Sequence, residues 1–242
     1  MIDWDRTWPL PLSGDAVTLE PGLSLRRTGT TDAALWRFEP PESPRLVRLG
    51  GGHLRLVPTL PAEPLVLRFD ARLDLTPGPG RAAVFAGMPV NLRLEHLPAP
   101  GAEPATLAEV VSPGLRRHLA VGRVEDPQLA RAVDVCLYDT PSAVPEGLAV
   151  MPLRLRLPET GLRTLDRVML PAGGLSLWAG GKILYTAAVE VDLREADALE
   201  VHILAEVPRA DVSLRFGPTS NTGEFSLKAL MRSLTQLARG AD

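Results

Sequence analysis

The chain has 242 residues and a formal net charge of −3 at pH 7, so it can form one large or two small domains and lacks the basic charge typical of nucleic-acid binders. Hydrophobic residues make up 45% and charged residues 23% of the chain, which excludes global disorder. The single cysteine cannot form an internal disulfide and favours a reducing compartment. Because the sequence shows neither a secretory signal nor an apolar run of about 20 residues, we expect a cytoplasmic protein with no membrane insertion and no nucleic-acid partner.

Alternation of apolar and polar residues predicts β-strands along most of the chain. Apolar residues occupy one parity of 65–75, and the segments 151–157, 189–193 and 199–205 repeat the pattern, with the carboxylates of 189–193 at outward positions. A period of two places alternate side chains on opposite faces of a sheet, so each segment is expected to have one buried and one solvated face, as in antiparallel sheets. Glycine and proline cluster between these segments, at 50–52, 77–80, 98–101, 171–174 and 180–181. These clusters predict hairpin turns and a sandwich or barrel architecture.

Two short segments resemble each other and indicate an internal repeat. Residues 80–87 and 173–180 both contain a glycine, four further residues, a large aromatic residue and then Ala-Gly. The copies are separated by about the length of one small sandwich domain. We therefore predict a duplication with its break in the Pro/Ala-rich connector 97–105, which gives an N-terminal half at 1–104 and a C-terminal half at 105–242.

Helical periodicity is found mainly at the C-terminus. Leucine and methionine residues recur at helical spacing between 227 and 237, which predicts an amphipathic helix at about 225–239. Asp126 and Pro127 have the residue types of an N-cap and a first helical position, so a one-turn helix is predicted through Arg131. The predicted fold class is therefore mainly β, with two related antiparallel β-sandwich-like halves and one C-terminal amphipathic α-helix.

A search for catalytic and ligand-binding motifs assigns no catalytic, cofactor-binding or metal-binding residue. The glycines near Lys182 lack P-loop spacing, and those at 50–52 lie between strands instead of opening a helix. Cys136 has no histidine nearby in the sequence to lower its pKa and is interpreted as a core residue. No pair of histidines has metal-ligand spacing, although a site assembled from distant strands stays open. The four histidines are His53, His96, His118 and His202.

Arginines on the predicted strands are the strongest candidates for binding. If several of them converge, they could hold an anionic ligand or a partner protein. The interleaved acids Asp70, Asp74 and Glu95 favour the alternative that the arginines are neutralised on a solvated face. The arginines concerned are Arg45, Arg48, Arg68, Arg72, Arg93, Arg154 and Arg156.

Several segments between residues 77 and 193 resemble a known family. They are the Pro-Gly-x-Gly turn at 77–80 leading into 84–90 (VFAGMPV), then 118–122 (HLAVG), 130–135 (ARAVDV), a strand ending at Pro158, and 167–171 (RVMLP). Together they are similar to DUF432, an uncharacterised prokaryotic family of domains of unknown function. The resemblance implies a β-rich fold and supplies no activity, cofactor or catalytic residue.

Three classes of function follow from these observations. The first is a non-enzymatic protein-interaction module that presents sheet faces, strand edges and its helix to a protein partner. The second is a small-ligand, anion or metal-binding protein, or an enzyme, with a site between the two halves. The third is a structural protein that self-associates through strand edges. We favour the first class, expect no cofactor and assign no enzymatic activity.

Overall fold

The computed structural model describes residues 2–10, 14–20, 23–28, 35–39, 45–78, 80–123, 126–194 and 199–218. The C-terminal helix predicted at 225–239 lies outside these residues. Within them, three single-turn 3₁₀ helices occur, at Pro113–Leu115, Pro141–Ala143 and Ala172–Gly174. No helix in these ranges has the length and hydropathy of a membrane-spanning segment.

Strands dominate the described residues, which confirms the mainly β prediction. In chain order they are β1 (Thr7–Leu10), β2 (Ala16–Glu20), β3 (Leu23–Arg27), β4 (Leu35–Glu39), β5 (Arg45–Arg48), β6 (Gly52–Thr59), β7 (Leu65–Leu75), β8 (Arg81–Met88), β9 (Asn91–Leu97), β10 (Ala105–Val110), β11 (His118–Arg123), β12 (Asp126–Val135), β13 (Leu137–Tyr138), β14 (Ala149–Arg156), β15 (Arg163–Leu170), β16 (Leu177–Gly180), β17 (Ile183–Thr186), β18 (Val189–Asp192), β19 (Glu200–Ile203) and β20 (Ser213–Phe216).

Two local predictions are corrected by the strand pairing. The one-turn helix predicted through Arg131 is wrong, because these residues begin β12, which pairs with β11 on one side and β7 on the other. The fixed φ of Pro127 suits an extended chain as well as a helix start, and Val133 and Val135 favour a strand. The antiparallel prediction holds for most pairs, but β7 with β12, β14 with β17 and β14 with β18 are parallel.

The chain forms two compact units. Unit 1 comprises Met1–Thr59 and Asn91–Val111, and unit 2 comprises Leu60–Val90 and Ser112–Asp242. The repeat segments predicted at 80–87 and 173–180 both lie in unit 2, where they contribute to β8 and β16. The duplication itself, and the division into halves at 1–104 and 105–242, stay predictions, since compactness does not report on ancestry.

Unit 1 is a sandwich of two four-stranded antiparallel sheets. Sheet A has the order β1-β6-β9-β10, and sheet B has the order β2-β3-β4-β5. On β4, Trp36 and Phe38 are buried while Arg37 points to solvent, as the alternation of this aromatic strand requires. One apolar cluster joins the buried residues of both sheets, for example Phe38 of sheet B and Leu54 of sheet A. Its buried members are Trp8, Leu19, Leu23, Leu25, Trp36, Phe38, Val47, Leu49, Leu54, Leu56, Leu94 and Ala108.

A glycine is required at the start of β6, where this strand lies close to the end of β9. Gly52 has a φ of +112°, and a Cβ added there would lie 2.1 Å from the carbonyl oxygen of Leu97 on β9. Only glycine combines this backbone conformation with such a close approach of two chains. Gly52 is therefore part of the interior strand β6, while Gly50 and Gly51 belong to the connection between β5 and β6.

Unit 2 also contains two sheets. Sheet C has the order β11-β12-β7-β15. Sheet D has the order β13-β8-β14-β17-β16-β20, and β18 and β19 extend it beside the second half of β14. Strands β7, β12 and β15 contact β13, β8 and β19 respectively, so the sheets are adjacent. Sheet C is buried on both faces at its centre, because Leu65, Val66 and Leu67 are all buried.

The sandwich core of unit 1 can be tested by a pair of neighbouring substitutions. We expect Phe38→Ala to lower the free energy of unfolding by about 3–5 kcal/mol, because it removes a fully buried ring and leaves a cavity between the sheets. Arg37→Ala on the opposite face of the same strand should cost at most about 0.5 kcal/mol. Urea denaturation measures both values, and equal costs would contradict the assignment of the two faces.

Candidate functional site

The arginines predicted on strands do not converge on one place. Those on β7, β9 and β14 are each paired with a carboxylate. Arg68 of β7 donates to Asp134 of β12, with Nε 2.8 Å from Oδ1. Arg72 lies 3.3 Å from Asp74 on the same strand. These pairs match the alternative in which acids neutralise the arginines on a solvated face.

Sheet A shows the same pairing in unit 1. Arg93 of β9 lies 3.6 Å from Glu109 of β10. Glu95, which the sequence interpretation treated as a neutralising acid, is buried and accepts a hydrogen bond of 2.9 Å from the Nε of Arg55. The guanidinium groups of this face are therefore occupied by acids of neighbouring strands.

A denser array of charges lies on one face of sheet D. Strand pairing places Arg154 beside Glu190 and Arg156 beside Asp192, while Arg81 lies opposite Arg156 on the other side. The Nε of Arg156 lies 2.7 Å from Oε1 of Glu190, and Nη2 of Arg81 lies 3.3 Å from Oε2 of the same carboxylate. Glu190 is thus held between arginines of β8 and β14. We call these five residues the sheet D array.

The two carboxylates of the array are buried, which corrects the prediction that the acids of 189–193 face solvent. The side chains of Glu190 and Asp192 are 5% and 11% exposed. Alternation places them on the polar face, but β18 is paired on both sides, and long arginine side chains from β14 and β8 can cover the carboxylates with their aliphatic stems. Local periodicity contains no information about such cover.

Arg194 stabilises the anionic form of Asp192. Arg194 donates from Nη2 to Oδ2 of Asp192 at 2.6 Å, and its backbone N–H donates to Oδ1 at 3.0 Å. The side-chain hydrogen bond from Arg194 lowers the pKa of Asp192 below its usual value, and the charges of Arg194 and Arg156 lower it further. The array therefore clamps β8, β14 and β18 together through ion pairs, and its arginines are already engaged.

Sheet B has the opposite character on its outer face. Arg26, Arg37 and Leu46 lie directly side by side on β3, β4 and β5. The side chains of Arg26 and Arg37 are 66% and 49% exposed, and Leu46 is 62% exposed. Glu39 is the one acid that the structure describes on this face, at 3.9 Å from Arg26 and 3.6 Å from Arg37. Two weak contacts from a single carboxylate leave the face positively charged.

The edge strand β5 adds two more exposed arginines. Arg48, beside Leu35, shares the outer face, whereas Arg45, beside the buried Phe38, has the parity of the inner face. Arg45 and Arg48 are exposed at its two ends, and neither forms an ion pair with a carboxylate in the part of the chain that the structure describes. Among the described strands, β5 pairs with β4 alone, so no described strand covers its outer backbone edge. We call the group Arg26, Arg37, Arg45, Leu46 and Arg48 the β5 surface.

The β5 surface combines three binding capacities in one place. Guanidinium groups recognise carboxylates with paired, charge-assisted hydrogen bonds. An open strand edge supplies backbone N–H and C=O groups in a regular row. An exposed leucine provides apolar area at the centre of the charged groups. Sequence reasoning identified Arg45 and Arg48 but not Arg26 or Arg37, whose proximity depends on the register between three strands.

The histidines are dispersed in the structure as well. Nε2 of His96 lies 2.8 Å from the carbonyl oxygen of Gly51, and Nε2 of His202 lies 3.6 Å from Glu200. His53 and His118 lie on β6 and β11, in different units. Across the described ranges, no three side chains of the metal-ligating types come close enough together to hold an ion.

Cys136 is exposed, so its interpretation as a core residue is wrong. It follows β12 directly and precedes β13, at a point where the chain leaves sheet C. A hydrogen bond to Asp70 raises the pKa of the thiol above its usual value, the negative charge of Asp70 raises it further, and a hydrogen bond with Tyr138 opposes the shift. A raised pKa favours the protonated thiol, which is the opposite of an activated nucleophile.

Breaking the sheet D array should be costly at its buried end only. We expect Glu190→Gln to lower the free energy of unfolding by about 1.5–3 kcal/mol, because charged hydrogen-bond partners on Arg81 and Arg156 lose their carboxylate. Glu206→Gln removes the exposed partner of Arg154 and should cost at most about 1 kcal/mol. Chemical denaturation of both variants compares them, and a cost for Glu206→Gln equal to that of Glu190→Gln would contradict the burial of the array.

Asp192 also makes stability depend on pH. A carboxyl whose pKa is lowered by folding adds stability above its unfolded pKa of about 3.9, and this stability is lost as the pH falls through the folded pKa. We expect the wild-type protein to lose stability below about pH 4 and the Arg194→Gln variant to lose less over the same range. Thermal unfolding between pH 5 and pH 2.5 measures this, with Arg209→Gln as a control for removing one arginine elsewhere in unit 2. Identical slopes for wild type and Arg194→Gln would contradict the assigned cause.

Comparison with known proteins gives one match. The family described as "Protein of unknown function (DUF432)" matches residues 22–232. No curated protein and no solved structure matches the chain. The matched region includes most of both compact units, from β3 through β20. The chain therefore belongs to the DUF432 family.

Proposed function

We propose that the protein is a non-enzymatic interaction module that binds an acidic protein partner through the β5 surface. The observation that carries the proposal is the local excess of exposed arginine on that surface. The surface includes four exposed arginines, three of them on the outer face of sheet B, and Glu39 is the one described acid that contacts any of them. The chain as a whole has a net charge of −3, so this surface has the opposite sign to the molecule.

The contrast with the sheet D array supports this choice of surface. In the array, each arginine has a carboxylate within hydrogen-bond or ion-pair distance, for example Arg156 with Glu190 at 2.7 Å. A partner carboxylate would have to displace an existing one there. Arg45 and Arg48 have no such competitor among the described carboxylates, so a partner acid gains charge-assisted hydrogen bonds without displacing an internal ion pair.

Leu46 supports a protein partner over a small inorganic anion. Its side chain is 62% exposed between arginines of the same surface. Arginine together with apolar contact area is typical of the energetically important centres of protein interfaces. A small anion would use the guanidinium groups and leave the leucine in water.

The other two classes remain predictions. They are a small-ligand or enzymatic site between the halves and self-association through strand edges. The cytoplasmic location also remains a prediction.

The proposal predicts that reversing the charge of the β5 surface abolishes partner binding and leaves folding intact. The test variant is Arg37→Glu with Arg48→Glu, and the control is Arg72→Glu with Arg167→Glu, which changes the net charge equally on sheet C. Tagged proteins are used to isolate partners from a lysate of the native organism, and circular dichroism confirms the fold of each. We expect a stoichiometric partner with wild type and the control, and its loss with the test variant.

Two results would contradict the proposal. One is retention of every co-purifying protein by the folded test variant. The other is the absence of any stoichiometric protein partner with the wild-type chain at moderate salt.

A further inference from the structure

We infer that the partner binds as an added antiparallel β-strand along β5, with the residue pattern acidic–apolar–apolar–acidic. This inference rests on the proposed function and specifies its binding mode. The occupant is an extended acidic segment of another protein, and the main-chain groups of β5 pair with those of the segment. Recognition through an open sheet edge obtains affinity from the backbone and specificity from alternate side chains.

The register of sheet B determines which side chain the added strand would meet at each step. Leu46 lies beside Arg37, and Arg48 lies beside Leu35, on the outer face. Val47 lies beside Trp36 on the inner face and is 9% exposed. An added antiparallel strand therefore has four consecutive positions opposite residues 48, 47, 46 and 45.

Each of these four positions has a chemical preference. Side chains directly opposite on neighbouring strands are about 4.5–5.5 Å apart at Cβ, within reach of an arginine. Acidic residues fit opposite Arg48 and Arg45, where no described carboxylate is already bound. Apolar residues fit opposite Leu46, which is exposed, and Val47, whose face continues the core of the sandwich.

A second copy of this chain does not satisfy the same preferences. Two-fold antiparallel pairing of β5 with itself keeps the outer faces of both copies on the same side, so residues of equal parity, such as Leu46 and Arg48, lie opposite each other. The described residues of β5 include no acid, so self-pairing supplies no carboxylate to Arg45 or Arg48, whereas an acidic strand does.

The charge of the neighbouring strands extends this preference. Arg37 and Arg26 lie on β4 and β3, so they form a positive row behind the edge. Adjacent strands are about 4.8 Å apart, so Arg37 lies about two strand spacings from the added segment. The positive charges of Arg37 and Arg26 would attract acidic residues that flank the four central residues of the segment. The positive charge of the outer face therefore favours the same acidic segments that β5 favours.

The test uses a fluorescein-labelled peptide with two repeats of Glu-Val-Val-Glu and three matched relatives. One relative has the same composition, with the four glutamates first and the four valines last. The other two have N-methyl groups on alternate backbone amides, in the two possible alternating sets. N-methylation keeps the charge and removes hydrogen-bond donors from one edge of the strand. Fluorescence anisotropy against the full chain measures binding at constant ionic strength.

Strand addition predicts an asymmetric result. One N-methylated set should bind at least about tenfold more weakly than the parent, a difference of about 1.4 kcal/mol, and the other set should bind like the parent. The composition control should also bind at least about tenfold more weakly. Hydrogen exchange of the backbone amides of β5 should slow when the parent peptide is bound. Arg45→Glu with Arg48→Glu should weaken binding of the parent by a similar factor.

The alternative results each overturn the inference. If both N-methylated sets bind like the parent while the arginine variant loses binding, then the surface acts by charge alone, which contradicts strand addition but not the proposed function. If the parent peptide shows no saturable binding at millimolar concentration, the acidic–apolar–apolar–acidic pattern is wrong. The proposed function then stands or fails separately, with the isolation of partners from the lysate.

Discussion

The burial of Trp36 and Phe38 between the two sheets of unit 1 determines the rest of the β5 surface. Because side chains alternate along a strand, burial of these two residues forces Arg37 to the outside. The pairing of β4 with β3 and β5 then places Arg26 and Leu46 on either side of it. The apolar core thus positions a row of exposed side chains that contributes little to the core itself.

Arginine has two different roles in this protein, and the neighbouring carboxylates decide between them. In unit 2, Glu190 and Asp192 are buried beneath arginines and join β8, β14 and β18 through ion pairs. Such pairs are costly to desolvate and strongly destabilising to break, so they act as structural clamps. In unit 1, Arg26 and Arg37 share Glu39, the single described acid that contacts the β5 surface, so its arginines keep most of their hydrogen-bonding capacity. The same residue type therefore stabilises one sheet and leaves the other able to bind.

The sequence predicts individual strands better than their surroundings. Alternation locates β14, where Met151, Leu153 and Leu155 are buried as expected, because burial on one face is a local property of a strand. The burial of Glu190 depends on pairing with two other strands, and the row from Arg26 to Leu46 depends on three strands in register. These contacts join residues distant in the chain, so no local pattern contains them. The strand at Asp126 was missed because the Asp-Pro pair suits a helix start equally well.

The central claim is that the β5 surface is where a partner binds, and site-specific photo-crosslinking tests it most directly. Leu46 and Leu129 are 62% and 63% exposed, on sheet B and sheet C respectively, so a benzoylphenylalanine at either position is equally accessible. Irradiation in a lysate of the native organism, followed by mass spectrometry, identifies the crosslinked segments. The account predicts that the variant at Leu46 captures an acidic segment of a protein partner and that the variant at Leu129 does not. Capture of the same partner through Leu129, with none through Leu46, would contradict it.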